Sequence, residues 1–452
     1  MDIELRARRG VAWADSDDGA RWAFRAIVAC SVIVLYIVGR NQWFIRDDWA
    51  FIFSRERLHQ AKGLDDMLFV AQDGHWMTIP IIAFRLIKAV FGTGSYWPYL
   101  ISAMACHLGI AVMIRKISLR VGVTPWTATI LAGMFAVFGS GWENIVFAIQ
   151  LTYNLSLLAF LVQLWLIDHD GPPNHRDAIG AVAGLVAVSS SGFGPFFIVG
   201  VLVFMVFRRR WMAAAIATVP AAVVSAWWWL VWGRDPAGDS LNSPLTRVPA
   251  YVNRGLDAVF QSMTTTESLV GISLLATLTV VLWRRRDPRA HDLLLTLAVT
   301  AVLMYIGLGI QRGGFGVDFA ATSRYVYMGA ALLMPAFGVA VDQLARIATP
   351  ALWAGRLVLI GATAMNLSAL HSNGNDWANK AIAERNILEL VAASPLTPAA
   401  DPMIAPLFPE SPDVRLIDLP ELVADGAIHP RPASTPEEQA LVATALAQPA
   451  LP

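Results

Sequence analysis

Apolar residues in this chain are gathered into long runs, and polar or charged residues separate these runs. An apolar run of about 17–25 residues is long enough to cross a bilayer as a helix. Such runs, two of them shorter, lie at 23–40, 96–114, 124–140, 144–167, 178–191, 193–207, 211–232, 264–283, 291–311, 324–346 and 351–370. The pattern predicts an all-α polytopic membrane protein with about eleven transmembrane helices.

Two segments depart from this simple pattern. The fifth and sixth runs are short, and "SSSGFGP" at 189–195 separates them. A helix broken at membrane depth needs protein or water to cover its freed backbone groups, so we expect one of these at the break. The polar segment 41–92, called the first long loop below, ends in the amphipathic "TIPIIAFRLIKAVFG" at 78–92. Its charged stripe at Arg85 and Lys88 predicts a helix lying along the membrane interface or entering it at a slant.

The composition changes after residue 370, because residues 371–452 contain 12 of the 25 prolines. We expect amphipathic helices at 376–393 and 434–447, the second opening with a capping box of Ser434 and Glu437. The stretch between them predicts an extended linker or a small, loosely structured cap. The expected domains are therefore an N-terminus at 1–22, a membrane domain at 23–370 and a Pro-rich tail at 371–452.

Basic residues in short loops indicate the orientation of a membrane protein, since they favour the cytoplasmic side. With a cytoplasmic N-terminus, the inner loops are "RKISLR" (115–120), "DHDGPPNHRD" (168–177), "RRR" (208–210) and "RRRDPR" (284–289). The outer connections "GSGWEN" (139–144) and "SSSGFG" (189–194) carry no Lys or Arg. The sequence therefore predicts a multi-pass protein of the plasma (inner) membrane whose first long loop and tail lie outside the cytoplasm.

Composition narrows the function classes. Hydrophobic residues make up 56% of the chain and the formal net charge is zero, so bulk charge gives no reason to expect a nucleic-acid partner. The two cysteines, Cys30 and Cys106, lie in apolar runs and are expected to be packing residues. No phosphate-binding loop or paired C-x-x-C motif occurs. We therefore expect any activated substrate to come from the membrane.

An acidic pair, Asp47-Asp48, opens the first long loop in "FIRDDWAFIF". Flanking residues such as Trp43 and Trp49 would desolvate these carboxylates, and burial raises the pKa of a carboxyl group. Two adjacent carboxylates also disfavour ionising both. The pair beside Arg46 is thus a candidate general base for an acceptor hydroxyl. The alternative is an acidic pair that is simply solvated at the membrane boundary.

The same loop contains "QDGHWMTIP" at 72–80. His75 could bind a phosphate, assist proton transfer, or join Asp48 in holding a divalent cation, although a lone loop histidine can equally be polar surface. Trp76 could stack on a sugar face, or anchor the chain at the interface.

A third candidate region is "TSRYVYM" at 322–328, at the start of the tenth run. The helix dipole does not favour a cation there, so Arg324 lacks that structural reason. A helix N-terminus together with a guanidinium suits a phosphate group. Arg324, its neighbour Tyr325 and Arg312 are therefore candidate substrate-binding residues, with snorkelling of Arg324 to lipid headgroups as the alternative.

Polar residues also occur in "GWENIVFAIQLTYN" at 141–154. Helical spacing would align Asn144 with Gln150 and Asn154, and polar groups in hydrocarbon usually line a cavity or bond between helices. We expect Gln150 to bond between helices and Glu143 to lie nearer a substrate site.

Taken together, "DDW", "HW", "GWEN", "SSSGFG" and "SRYVY" on this topology resemble the GT-C superfamily of integral-membrane glycosyltransferases, in a bacterial branch with an actinobacterial character. The resemblance is specific over 23–110 and otherwise concerns architecture. Many members have Asp-Glu where this chain has Asp47-Asp48, so the second carboxylate of this chain has the shorter side chain.

The resemblance implies transfer of a sugar from a polyprenyl-phosphate donor, with inversion, to an extracytoplasmic glycan, lipid or protein. It implies Asp47 as base, Asp48 as an orienting group or a ligand of an optional divalent cation, and Arg324 with His75 or Arg312 at the departing phosphate. Membrane lipids are the other expected partners. The alternative function is a flippase or transporter of a lipid-linked glycan.

Overall fold

The computed structural model describes residues 16–233, 244–264, 288–346 and 348–451. Within these ranges the only extended pairings are two isolated bridges, Gln72–His75 and Ile404–Ala450, and the all-α fold is confirmed. The α-helices in chain order are α1 Asp17–Gly39, α2 Arg55–Lys62, α3 Leu64–Phe69, α4 Thr78–Phe91, α5 Trp97–Arg120, α6 Pro125–Ala136, α7 Glu143–Val146, α8 Leu151–Ile167, α9 His175–Val188, α10 Gly194–Phe207, α11 Trp211–Val231, α12 Val248–Thr264, α13 Pro288–Arg312, α14 Ser323–Gln343, α15 Thr349–Ala392, α16 Leu419–Ala424 and α17 Pro436–Leu446.

Seven helices in the described part of the chain are long and apolar enough to cross a membrane. They are Asp17–Gly39, Trp97–Arg120, Ala148–Ile167, Trp211–Val231, Ala290–Phe315, Ser323–Gln343 and Thr349–Ala392. Each overlaps a predicted apolar run. The predicted runs at 124–140, 178–191 and 193–207 form the shorter helices α6, α9 and α10. The predicted run at 264–283 lies outside the described residues, apart from its first position. These helices make the chain an integral membrane protein.

The predicted break in the fifth and sixth runs occurs where the sequence placed it, because α9 ends at Val188 and α10 begins at Gly194. Protein covers the freed groups there. The Ser189 carbonyl accepts a hydrogen bond from the Ile79 N–H at 3.2 Å. The Ser190 hydroxyl donates to the Val186 carbonyl at 2.6 Å.

A second break interrupts the run at 144–167, which the sequence predicted as one span. Phe147 is extended (φ −114°, ψ 113°) between α7 and a 3₁₀ turn at Ala148–Gln150. The N–H groups that follow bond to other parts of the protein: Ala148 donates to the Tyr96 hydroxyl at 2.8 Å and Ile149 to Asp48 at 3.0 Å. Side-chain acceptors from elsewhere in the chain thus replace helical carbonyls at the break.

The interfacial segment of the first long loop forms α4. One face of this helix is buried at Ile81 and Phe84. The opposite face exposes Leu86 and Val90 by 61% and 72%, which is an apolar surface suited to lipid. The predicted interfacial helix therefore exists as a helix, and its position at the membrane surface stays a prediction.

Helix α15 is 44 residues long and runs through position 370 without interruption. The tail boundary drawn from composition therefore falls inside a helix. After α15 the chain is packed against the first long loop, where the sequence predicted a linker or a loose cap. Leu407, Val414 and Leu416 share one buried cluster with Trp43 and Trp49. These apolar residues, placed between the prolines, give the segment a core of its own with the loop.

The last helix, α17, begins one residue later than the sequence predicted. Its N-cap is Thr435, whose side chain accepts from the Glu438 N–H at 3.2 Å. The Glu438 carboxylate accepts in return from the Ser434 N–H at 2.7 Å. Thr435 and Glu438 thus take the places that the sequence predicted for Ser434 and Glu437.

Candidate active site

The acidic pair lies on a turn that separates its two carboxylates. Arg46 has a φ of +53°, a left-handed conformation that is uncommon for a residue other than glycine. Backbone hydrogen bonds from Asp48 N to Ile45 O (3.3 Å) and from Trp49 N to Arg46 O (3.2 Å) hold the turn. Asp47 and Asp48 consequently face different surroundings.

Asp48 is fully buried and does not line the cavity described below. Its carboxylate accepts hydrogen bonds from the Tyr96 hydroxyl (2.8 Å), the Ile149 N–H (3.0 Å) and the Ile45 N–H (3.4 Å). Burial raises the pKa of Asp48 to about 8, against these hydrogen bonds, which lower it. The structure therefore gives Asp48 a place in the packing of the loop, away from the orienting or cation-binding position that the resemblance implied.

Asp47 faces a cavity of about 290 Å³. Its side chain is open to water in the cavity, while protein surrounds it on the remaining sides. This burial raises the pKa of Asp47 to about 6; the charge of Asp73 raises it further, and those of Arg324 and Arg46 lower it. A carboxyl group of that pKa is ionised at neutral pH and basic enough to accept a proton from a bound hydroxyl.

A tight turn at Gln72–His75 forms another wall of the cavity. Its central residues, Asp73 and Gly74, have φ of +52° and +77°. Two left-handed residues in succession define a type I′ turn, for which Asp-Gly is a preferred sequence. Hydrogen bonds from His75 N to Gln72 O (2.9 Å) and from Gln72 N to His75 O (3.1 Å) close it.

The turn directs His75 toward Arg312 rather than into open solvent. His75 Nε2 lies 3.3 Å from Arg312 Nη2, which also donates to the Asp73 carbonyl at 2.7 Å. Burial lowers the pKa of His75 to about 3, and the positive charges of Arg312 and Arg324 lower it as well. His75 is thus a neutral acceptor, an arrangement that favours orienting Arg312 over proton transfer.

The break between α9 and α10 lies against His75 of this wall. A Cβ added at Gly192 would lie 2.0 Å from His75 Nδ1. Only glycine leaves room there for the imidazole. The "SSSGFGP" motif therefore shapes the cavity as well as ending a helix.

Arg324 lies in the first turn of α14 and lines the cavity. Behind it, the Glu143 carboxylate accepts from the Ser323 hydroxyl at 2.8 Å and from the Arg324 N–H at 3.3 Å. Glu143 also lies 3.8 Å from Arg324 Nε, which is buried and makes no hydrogen bond. Glu143 therefore positions the guanidinium, and Arg324 lines the cavity, unlike in the alternative in which it snorkels to lipid headgroups.

The cavity brings together five of the eight residues named from the sequence. Asp47, His75, Arg312, Arg324 and Tyr325 all line it. Two negative and two positive side chains face one another there, since Asp73 is also part of the lining.

Trp76 lies outside this cavity. Its ring is stacked on Trp228, with centroids 5.7 Å apart and an interplanar angle of 6°. Its indole N–H donates to the Thr78 hydroxyl at 2.6 Å. A ring covered in this way is not open to a sugar face, so Trp76 packs the first long loop against α11.

The lining also includes Asp73 and Gln150, neither of which was named as a site residue from the sequence. Asp73 was not considered, although the Asp-Gly pair marks a turn. Gln150 was expected to bond between helices. Instead it lines the cavity, and its Oε1 is buried without a hydrogen-bond partner.

The residues named for a divalent cation do not fit one. Three donors occupy the Asp48 oxygens, and His75 Nε2 faces a guanidinium. Among the described residues, no group of three or more His, Cys, Asp or Glu side chains could hold a metal ion.

No protein-family model matches the sequence, and no curated protein matches it. Solved structures show the class of fold, a polytopic helical membrane protein, over nearly the whole chain. One similar structure is ArnT from Cupriavidus metallidurans bound to undecaprenyl phosphate. It has a TM-score of 0.52 and 14% identity, over 93% of this chain and 87% of that one. The same protein in the apo state has a TM-score of 0.47 at the same identity and coverage. The resemblance stated from the motifs is supported at the level of the fold.

Proposed function

We propose that this protein is a membrane glycosyltransferase that moves a sugar from a polyprenyl-phosphate donor to an acceptor hydroxyl. The observation that carries the proposal is the single cavity in which Asp47 faces Arg324 and Arg312. A basic carboxylate and two phosphate-binding cations within one small chamber are the groups that such a transfer needs.

The donor class is supported by the charges of the cavity and by the shared fold. Arg312 and Arg324 are guanidinium groups, which match the oxygens of a phosphate. Arg324 also stands in the first turn of α14, where the helix dipole favours an anion. The similar structure of ArnT was obtained with undecaprenyl phosphate bound, a lipid phosphate of this class.

In the proposed reaction, Asp47 accepts the proton of the acceptor hydroxyl as its oxygen attacks the anomeric carbon. The new glycosidic C–O bond forms while the bond from that carbon to the phosphate oxygen breaks, and the lipid phosphate leaves with the electron pair. Attack from the face opposite the phosphate inverts the anomeric configuration. Arg324 and Arg312 stabilise the negative charge that develops on the phosphate, the kind of electrostatic contribution that is usually largest.

The other residues around the cavity have supporting roles in this proposal. Glu143 and His75 orient the two guanidinium groups, and Tyr325 supplies an aromatic wall against which the Arg324 charge lies, 5.9 Å from the ring centroid. Asp48 is assigned no contact with the substrate.

The sidedness in this proposal comes from the distribution of basic residues in the loops. A cytoplasmic N-terminus puts the cavity and the segment after α15 outside the cytoplasm. The acceptor class is then an envelope glycan, lipid or protein. The bacterial and actinobacterial origin rests on the quoted motifs alone and stays a prediction.

The proposal is tested with the full chain in lipid nanodiscs, a radiolabelled polyprenyl-phosphate sugar and cell-envelope acceptors. We expect label to enter the acceptor with wild type and to fall by at least about a hundredfold with Asp47→Asn, because the amide cannot accept the proton. Asp65→Asn is the matched control, since Asp65 is exposed on α3 of the same loop and outside the cavity.

Two results would overturn the proposal. Transfer that is equal in Asp47→Asn and wild type would remove Asp47 as the base. Movement of lipid-linked sugar across vesicles without a new glycosidic bond would replace the transferase by the flippase.

A further inference from the structure

The segment after α15 holds the loop that carries Asp47 on both sides of that residue. On the N-terminal side, the Arg46 N–H donates to the Ser411 hydroxyl oxygen at 2.6 Å. On the C-terminal side, the Ser54 hydroxyl donates to the Asp413 carboxylate. The stretch that bears the proposed base is thus attached, before and after, to two residues of one distant segment.

A third attachment lies one helical turn further along the loop. Arg57 donates to both carboxylate oxygens of Asp418, at 2.9 and 2.8 Å, and to the Asp413 carbonyl at 2.6 Å. The contacts to Asp418 come from Nη1 and the contact to Asp413 from Nη2, so two nitrogens of the planar guanidinium restrict its orientation as well as its distance. The C-terminal attachments therefore hold 54–57 rigidly, and the position of Asp47 depends on how the chain enters the turn at Arg46.

Ser411 is itself held from the other side. Its side chain is fully buried, and its hydroxyl donates to Glu384 Oε2 on α15 at 2.6 Å. A hydroxyl that donates to a carboxylate is a better acceptor for the next donor in the chain. The Arg46 N–H thus donates to the Ser411 hydroxyl, which in turn donates to the Glu384 carboxylate.

The Arg46 backbone needs such a partner because its φ of +53° is disfavoured for a side chain with a Cβ. Backbone of this kind persists where the surrounding structure determines it. Without an acceptor for its N–H, Arg46 would relax toward negative φ. Since Asp47 is the next residue, that rotation would turn its carboxylate away from the cavity.

We propose that Ser411, anchored by Glu384, is a positioning residue for Asp47. It acts through the backbone of Arg46 and does not touch the substrate. This inference rests on the proposed function for the role of Asp47 as the base, and it makes the segment after α15 a working part of the active site.

The first test compares Ser411→Ala with Ser411→Thr, which keeps a hydroxyl. We expect Ser411→Ala to lower kcat by about 10- to 100-fold with the KM for the polyprenyl-phosphate sugar unchanged, because a displacement of about 1 Å is enough for such a loss. Ser411→Thr is expected to retain most of the rate. Glu410→Gln is the matched control: it removes an exposed ion pair with the Arg46 side chain, 2.7 Å long, and leaves the backbone contact in place.

A second readout does not depend on transfer. A water-soluble carbodiimide with an amine labels carboxyl groups, and mass spectrometry follows the extent at Asp47 against pH. We expect Ser411→Ala to shift the midpoint of Asp47 labelling relative to wild type and Glu410→Gln, since the carboxylate would leave its present surroundings. Glu384→Ala is the second variant should Ser411→Ala not fold, and it is expected to lower kcat and shift the labelling in the same direction.

The outcomes separate the two proposals. The positioning role would be overturned if Ser411→Ala, or Glu384→Ala where only that variant folds, had the kcat and the labelling of wild type. If Asp47→Asn still abolished transfer in that case, the proposed function would stand. A labelling shift in Ser411→Ala together with full transfer by Asp47→Asn would support the positioning of Asp47 and overturn its role as base.

Discussion

The pKa of Asp47 gives a quantitative test of the proposed chemistry through its neighbour Asp73. The negative charge of Asp73 raises the pKa of Asp47, after burial the largest cause. Asp73→Asn removes that charge and keeps the turn, because asparagine tolerates the φ of +52° at this position. The Asp73 backbone carbonyl accepts a hydrogen bond from Arg312, and the substitution leaves that carbonyl in place.

The magnitude follows from the pKa of about 6. A general base works in its ionised form, so activity is lost as the pH falls through that value. Asp47 would be about 91% ionised at pH 7 and about 9% at pH 5, so kcat/KM should drop about tenfold between them. Asp73→Asn should move this acid limb to lower pH. A fall of one unit in the pKa would give the variant about five times more base than wild type at pH 5.

The assay is the initial rate of label transfer at low donor concentration, measured between about pH 4.5 and pH 8.5, which gives the profile of the free enzyme. The limb in kcat should lie at higher pH than the limb in kcat/KM, because an anionic donor phosphate near Asp47 disfavours its ionised form. Asp65→Asn should leave both limbs in place. An acid limb that stays where it is in Asp73→Asn, or that moves to higher pH, would refute the assignment of the limb to Asp47.

Three further predictions follow from the same geometry. Arg324→Ala should lower kcat/KM by about a hundredfold, and Arg324→Lys should recover part of that loss, since lysine restores the charge without the planar guanidinium. Equal rates in both variants and wild type would contradict the role of Arg324 at the phosphate. Gln150→Leu should raise the KM for donor or acceptor, because the unpartnered amide oxygen in the cavity is lost, and an unchanged KM for both would exclude a substrate contact. Asp48→Leu should reduce the free energy of unfolding by about 2–4 kcal/mol, because the Tyr96 hydroxyl and the Ile149 N–H lose their acceptor. Asp48→Asn should reduce the free energy of unfolding by less than Asp48→Leu. The raised pKa of Asp48 favours its neutral form in the folded state, so in thermal unfolding wild type should lose stability relative to Asp48→Asn as the pH rises from about 4 to 8. A parallel pH dependence in both proteins would show that Asp48 does not titrate in this way.

The membrane architecture and the neighbourhood of the site were predictable from the sequence. Apolar runs predicted where α5, α11 and α14 lie, and the distribution of basic residues predicted that Asp47 and Arg324 share one side of the membrane. Polar side chains at the same side of a helical bundle can approach one another only in the small volume between the helix ends. The two residues do line one cavity.

The different positions of the two carboxylates, Asp47 at the cavity and Asp48 in the packing of the loop, were not predictable in this way. Adjacent residues in a loop have no periodicity that assigns them to faces, and the left-handed turn at Arg46 is what separates Asp47 from Asp48. The partner of Asp48, Tyr96, lies 48 residues away. Only the folded chain shows which carboxylate is buried and which is open to the cavity.

The packing of the C-terminal segment was missed for a different reason. Composition suggested a loose linker because proline is frequent there, yet Leu407, Val414 and Leu416 supply enough apolar surface for a small core with the loop. Proline restricts the chain without preventing burial of its neighbours. The hydroxyl of Ser411, in the middle of this segment, has no sequence feature that links it to Arg46.

The unbroken helix α15 sets a limit on how the length of this chain can vary. At about 1.5 Å per residue its 44 residues span about 66 Å, roughly twice the hydrocarbon thickness of a bilayer. One residue inserted near Leu370 would turn Glu384 about the helix axis by about 100° and carry it away from Ser411. A whole turn inserted there would keep the face of Glu384 but move it about 5.4 Å along the axis, so homologous chains should rarely gain or lose residues between Leu370 and Glu384.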